Sequence, residues 1–182
     1  MEPAEAIVKE WLQNVKKQFT MENIPYAINP KKLGSNYGDI DFLGVDTKGK
    51  FYDYEVKWSN GPAVGSTKNA SVDGIIAKFN DSGRKEVLCG LGIDKVERNL
   101  IVPKIFFGNK DETRIRHEAR IKEEKISIVY FDTVIEDLIN HSRSQNKDNS
   151  TVIRLIRSVI QYLPGFQKMC ANNVRNRKVN GK

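Results

Sequence analysis

Asp39 and Asp41 stand just before a polar turn, and Asp53, Glu55 and Lys57 stand just after it. Side chains alternate faces along a strand. Asp39 and Asp41 therefore share one face of a first strand, and Ile40 and Phe42 share the other. In a second strand Asp53, Glu55 and Lys57 share a face, against Tyr52, Tyr54, Val56 and Trp58. Pairing Val45 with Phe51 sets Asp41 opposite Glu55 and Asp39 opposite Lys57. A slip by one residue would mix acids with aromatics on both faces. Two carboxylates facing each other with Cβ atoms roughly 5 Å apart repel, so they need either bulk water or a cation. Mg²⁺ suits such a pair, because it takes oxygen ligands and keeps positions open for water and a substrate phosphate; Mn²⁺ is expected to substitute. A metal held there would lower the pKa of bound water and stabilise charge on a phosphodiester. Lys57 could orient the attacking water or neutralise the phosphorus centre.

An acid-x-Lys triplet alone says little in a chain with 29% charged residues, and Asp46-x-Lys48 and Glu123-x-Lys125 match it too. Those two fall in a turn and at a charged helix end, where nothing fixes their geometry. Only Glu55-x-Lys57 lies inside an aromatic, β-branched strand that follows a second acidic strand. The competing interpretation is the solvated polar face of an antiparallel hairpin.

The hairpin needs a scaffold. Ala4 to Phe19 reads as an amphipathic helix, with Val8, Leu12, Val15 and Phe19 at helical spacing. Glu5 falls on that apolar stripe, where a carboxylate is costly without a partner, so it is a candidate fourth member of the site. Ile24 to Ile28 is a short strand weakened by Pro25, and Lys31 to Tyr37 is a loop. Ser59 to Lys68 carries Gly61, Pro62 and Gly65 and reads as a loop; Ser71 to Phe79 reads as a helix. Leu100 to Phe107 is a strand that Pro103 confines to an edge or a bulge. A charged helix at Glu112 to Glu124, a strand at Lys125 to Phe131 and a helix from Asp132 to about Arg143 follow. Ser144 to Ser150 is a polar linker, and Thr151 to Leu163 a last amphipathic helix ended by Pro164-Gly165. This order implies an α/β or α+β domain: a central mixed sheet flanked by helices. Residues 1–143 form its core, and the helix and tail of 151–182 pack on the same domain. Tyr54 and Trp58 are expected in the core, on the face opposite Glu55.

The formal net charge is +7. Arg154, Arg157, Lys168, Arg175, Arg177, Lys178 and Lys182 supply all of it, because residues 149–182 contain no acid and the rest of the chain is neutral. Such a segment can attract a polyanion by counterion release; otherwise it is a solvated end that aids solubility. Arg154, Arg157, Arg175, Arg177 and Lys178 are the candidate nucleic-acid contacts. Cys89 and Cys170, far apart, suggest reduced thiols, and MEPAEAIVKE lacks the pattern of a secretory signal, so a cytoplasmic location without membrane attachment is expected. His117 and His141 have no metal-ligand spacing with either cysteine, which disfavours zinc. Phosphate-loop, dinucleotide-fold and serine-hydrolase motifs are missing.

Gly38-Asp39-Ile40-Asp41-Phe42-Leu43 followed by Tyr54-Glu55-Val56-Lys57 resembles the signature of the PD-(D/E)xK, or restriction-endonuclease-like, nuclease superfamily. The element order over residues 4–131 is similar to its αβββαβ core, and the chain looks most like small resolvase-like and repair-type members. The resemblance implies an Mg²⁺-dependent endonuclease, with Asp41 and Glu55 as metal ligands and Lys57 beside them. Glu5 matches an acid that many members carry on their first helix. DNA is the implied partner, with RNA open, and a homodimer would deliver two cuts. The motif's first acid is Asp41 or Asp39; Asp41 immediately precedes the apolar Phe42-Leu43. Trp58-Ser59-Asn60-Gly61 lacks the basic residues that some resolvases place after the lysine. The alternative function is a non-catalytic nucleic-acid-binding or assembly domain that kept the fold.

Overall fold

In the computed structural model, which describes residues 2–28, 36–59, 61, 63, 71–144 and 150–162, five strands form one mixed sheet with helices on both faces. The first helix, α1 (Pro3–Glu10), passes into a π-helical turn at Trp11–Val15. The helix expected to reach Phe19 stops there. Lys17 takes φ 55, a left-handed value that breaks the helix and redirects the chain. Strand β1 (Phe19–Ala27) follows, longer than the short segment expected. Phe19 is an edge-strand residue, 78% exposed, rather than the last member of a helical stripe.

Strands β2 (Tyr37–Val45) and β3 (Phe51–Val56) pair antiparallel, with Val45 opposite Phe51 as the patterning requires. Strand β4 (Val96–Val102) then pairs parallel with β3, and β5 (Ile126–Tyr130) parallel with β4. The spatial order is β1-β2-β3-β4-β5. β4 is therefore an inner strand, not the edge expected from Pro103. It ends at Val102, so the imide nitrogen of Pro103 takes no place in a ladder; Pro103 opens a 3₁₀ turn, Lys104–Phe107, instead.

Parallel strands need a long crossover. Here α2 (Val72–Asn80) and α3 (Ser82–Gly90) supply it between β3 and β4. α3 had no counterpart in the sequence-based assignment. The remaining helices are α4 (Asp111–Glu123), α5 (Phe131–Ser144) and α6 (Thr151–Tyr162). One face of the sheet buries Val8, Trp11, Leu12, Phe42, Tyr54, Val56, Val134, Leu138 and Ile153, from α1, α5 and α6. The opposite face meets α2 and α4 through Ile75, Phe79, Leu100, Val102 and Ile121, and α3 through Leu88. α6 thus seats Ile153 in the same core as α1 and α5, and Arg157 Nε donates to the Ser142 carbonyl at 2.9 Å. Residues 145–149 and 163–182, with Lys168, Arg175, Arg177, Lys178 and Lys182, lie outside the described residues. None of the described helices is long and apolar enough to cross a membrane.

Candidate active site

Alternation along β3 turns Tyr54 and Val56 to the α1 side and Asp53 and Glu55 to the side of α2 and α3. Both acids are shut away, at 1% and 0% exposure, which overturns the solvated-face interpretation. Ionised carboxylates are buried only when paired. The partners come from the crossover helices. Arg84 on α3 donates through Nε to Asp53 Oδ2 at 3.0 Å, through Nη2 to Asp53 Oδ1, and through Nη1 to Glu55 Oε2 at 3.2 Å. Its guanidinium is itself 0% exposed and lies 4.8 Å over the Phe79 ring. Gly83 lets α3 come this close, since a Cβ there would collide with the Ala27 carbonyl of β1. Glu55 Oε1 receives two ammonium groups, Lys57 Nζ at 2.6 Å and Lys78 Nζ, from the last turn of α2, at 2.5 Å.

Asp41 sits where the sheet parts. The β2–β3 ladder ends at Phe42 opposite Tyr54, and the β1–β2 ladder skips the Asn23–Asp41 position, where Asn23 takes φ 51. In place of a backbone bond, Asp41 Oδ2 accepts the Val56 N–H at 2.6 Å. The other oxygen, Oδ1, lies 3.5 Å from Lys78 Nζ, and Asp39 Oδ1 lies 3.6 Å from it. The break also upsets the expected alternation: Ile40 packs with Tyr26 and Leu88, whereas Phe42 packs with Trp11 and Tyr54.

Asp41, Glu55 and Lys57 are thus brought together, but Lys57 pairs with Glu55, not with Asp39 across the hairpin. Glu5 has a different place: its Oε2 accepts the Glu2 N–H at 2.9 Å, capping the helix to which it belongs. An acid in the first turn of a helix satisfies an open N–H in this way, so its position on the apolar stripe needs no metal to explain it. Tyr54 is in the core, with its hydroxyl donating to Gln18 Oε1 at 3.0 Å. Trp58 is 52% exposed, edge-on to Phe131, and does not belong to the core.

Lys78 and Arg84 were missed. Lys78 stands beside an apolar stripe (Val72, Ile75, Ile76, Phe79) with nothing in its spacing to mark it. Arg84 had an indirect signal: three residues of one sign-mixed strand face, Asp53, Glu55 and Lys57, hold one cation too few if that face is covered.

The carboxyls of Asp41 and Glu55 are shifted in opposite directions. Burial, reinforced by the Glu55 charge, pushes Asp41 from 3.8 up to about 6. Burial pushes Glu55 up as well, but Lys57, Lys78 and Arg84 outweigh it and hold the carboxyl below its ordinary value. Asp41 in the folded protein keeps a proton that the unfolded chain has released, so stability falls as pH rises from about 4 to 6 and the deficit is complete above that window. Asp41→Asn is therefore expected to stabilise the metal-free protein above pH 7 by up to about 3 kcal/mol, roughly two units at about 1.4 kcal/mol each, with the attraction of Lys78 already contained in that net shift. Below pH 4 the difference should vanish. Urea denaturation at the two pH values checks this.

The site opens into a cleft of about 770 Å³ bordered by Asp39, Lys57 and Lys78 together with Tyr26, Ser71 and Asp81. Among the described residues, no three His, Cys, Asp or Glu side chains form a ready-made metal cage. Asp41 Oδ1 and Glu55 Oε1 nevertheless converge on one positive centre, the Lys78 ammonium. Two carboxylate oxygens, rather than a full cage, fit a hard cation that retains several waters. No family model, no curated protein and no solved structure matches this chain.

Proposed function

We propose that the chain is a metal-dependent endonuclease of the PD-(D/E)xK type, hydrolysing phosphodiester bonds in DNA. One observation carries the proposal: Asp41 and Glu55, from adjacent antiparallel strands, aim oxygens at a single cation while Lys57 touches the same Glu55 oxygen. The order of helix, three strands, crossover helices, strand, helix and strand supports a restriction-endonuclease-like core. Asp41 and Glu55 would hold Mg²⁺, which when bound supplies a Lewis acid and a water of lowered pKa. The chain's own residues do the rest. The Val56 N–H fixes Asp41, and Arg84 fixes the far oxygen of Glu55, so both ligand oxygens are preorganised. Lys57, 31% exposed at the cleft, offers an ammonium to a phosphate oxygen or to the attacking water.

A second reading has its own support. Lys78 already neutralises the acid pair, as it would in a nucleic-acid-binding domain that kept this fold without its metal. The two readings separate on a substrate panel of linear duplex, single strand, flap, junction and RNA, each with Mg²⁺, Mn²⁺ or EDTA. The nuclease reading expects divalent-dependent cleavage of at least one DNA; binding to all without cleavage of any would favour the alternative.

The basic C-terminal segment is assigned phosphate contact. Arg154 and Arg157 are both set aside, because each makes interactions within the protein, Arg157 through its Nε to the Ser142 carbonyl. Changing Arg175, Arg177 and Lys178 to Gln should weaken DNA binding equally for all sequences. It should also flatten the slope of log K against log salt by about two to three units, each lost phosphate contact being worth roughly 0.9. An unchanged slope with an intact fold would make the segment a solubility feature.

A further inference from the structure

Glu55 is over-provided with cations and Asp41 is not. Lys57 holds Glu55 Oε1 at 2.6 Å and Arg84 holds Oε2 at 3.2 Å, so Glu55 is paired on both oxygens without Lys78. Lys78 nevertheless puts a second ammonium on Oε1 at 2.5 Å, beside the Lys57 charge. For Asp41, Lys78 at 3.5 Å is the one salt-bridge partner among the described residues. A divalent cation using Asp41 Oδ1 and Glu55 Oε1 would stand where this ammonium stands. Unlike Arg84, Lys78 has somewhere to go: its side chain is 22% exposed at the cleft, and half-exposed Asp39 lies 3.6 Å away.

We infer that Lys78 is an internal counter-ion that fills the acid pair in the metal-free protein and is displaced toward Asp39 when a divalent cation binds. The inference rests on the assignment of Asp41 and Glu55 as metal ligands. A competing charge built into the site lowers metal affinity by mass action and so sets the divalent concentration at which the protein becomes active. Repulsion between Lys57 and Lys78 on one oxygen makes the displacement easier.

The test titrates Mn²⁺ into the full chain without DNA, by calorimetry and by thermal melting, in wild type, Lys78→Met and Asp41→Asn. Lys78→Met is expected to melt lower than wild type without metal, to bind Mn²⁺ about tenfold more tightly or better once a like charge a few ångströms away is gone, and to gain more melting temperature on saturation. Asp41→Asn should lose Mn²⁺ binding. Equal or weaker affinity in a folded Lys78→Met overturns the inference while leaving the nuclease reading standing, provided that wild-type binding depends on Asp41. Absence of Mn²⁺ binding in both wild type and Lys78→Met overturns both. Lys78→Gln, which keeps a donor to Glu55 without the charge, makes the same comparison if Lys78→Met does not fold.

Discussion

Glu55→Gln is expected to abolish cleavage and also to destabilise the protein. The carboxylate is wholly buried and receives Lys57, Lys78 and Arg84. Neutralising it removes the negative charge that three cations share and leaves them facing one another. Breaking one side of a buried ionic cluster costs about 3–5 kcal/mol, and the amide oxygen that remains as an acceptor puts Glu55→Gln toward the lower figure. This is opposite to Asp41→Asn, even though both changes remove an acid from one site and relieve the same mutual repulsion. The difference lies in the neighbours: Asp41 has a backbone N–H and one ammonium, whereas Glu55 has three cations. If Glu55 holds the metal as proposed, cleavage should fall by about a thousandfold or more, since its loss would remove several kcal/mol of transition-state stabilisation. Urea denaturation of metal-free protein, beside a single-turnover cleavage assay, measures both. A Glu55→Gln protein as stable as wild type would mean that the three cations do not depend on it.

Arg84→Met should destabilise the protein more than Glu55→Gln does. Its guanidinium is fully buried, forks onto both oxygens of Asp53 and reaches Glu55. Truncation strands Asp53, which has no other ion pair among the described residues, in a site closed by Phe79 and Tyr26. An uncompensated buried carboxylate of this kind costs about 3–5 kcal/mol or forces itself to take up a proton. Arg84→Lys keeps the charge but cannot span two carboxylates, so it should recover only part of the loss. The double change Arg84→Met with Asp53→Leu removes both charges together and should restore much of the stability while leaving Glu55 less well fixed, separating the fold from the site. Midpoints of urea denaturation for the three variants decide it; a neutral Arg84→Met would show that water reaches Asp53.

The acid hairpin was legible because the short turn sets Val45 opposite Phe51 and a slip by one residue would mix Asp41, Asp53 and Glu55 with Tyr52, Tyr54 and Val56. The helices at Val72–Asn80 and Asp111–Glu123 and the strand at Ile126–Tyr130 were legible from periodicity and flanking turns. α3 was not, since Ser82-Gly83-Arg84-Lys85-Glu86 offers little apolar stripe and Cys89-Gly90-Leu91-Gly92 imitates a loop. Losing α3 meant losing Arg84, and with it the reason why Asp53 and Glu55 tolerate burial. The end of the first helix was hidden because Lys17 adopts a left-handed conformation without a Gly or Pro to announce it. Pro103 misled in the other direction, because a proline just past the end of a strand leaves that strand free to be central. The break at Asp41 was invisible, since it depends on Asn23 of a different strand.

We propose that Asp41, Glu55 and Lys57 cut DNA with a divalent cation. The most direct measurement is nicking of supercoiled plasmid by purified wild-type protein in Mg²⁺, with EDTA and with Asp41→Asn as controls. Asp41→Asn is the better control because it is expected to be more stable than wild type, so lost activity cannot be ascribed to unfolding. Divalent-dependent nicking by the wild type and its loss, by about a thousandfold or more, in Asp41→Asn is the predicted result. Nicking that survives EDTA, or that Asp41→Asn retains in full, would contradict the claim.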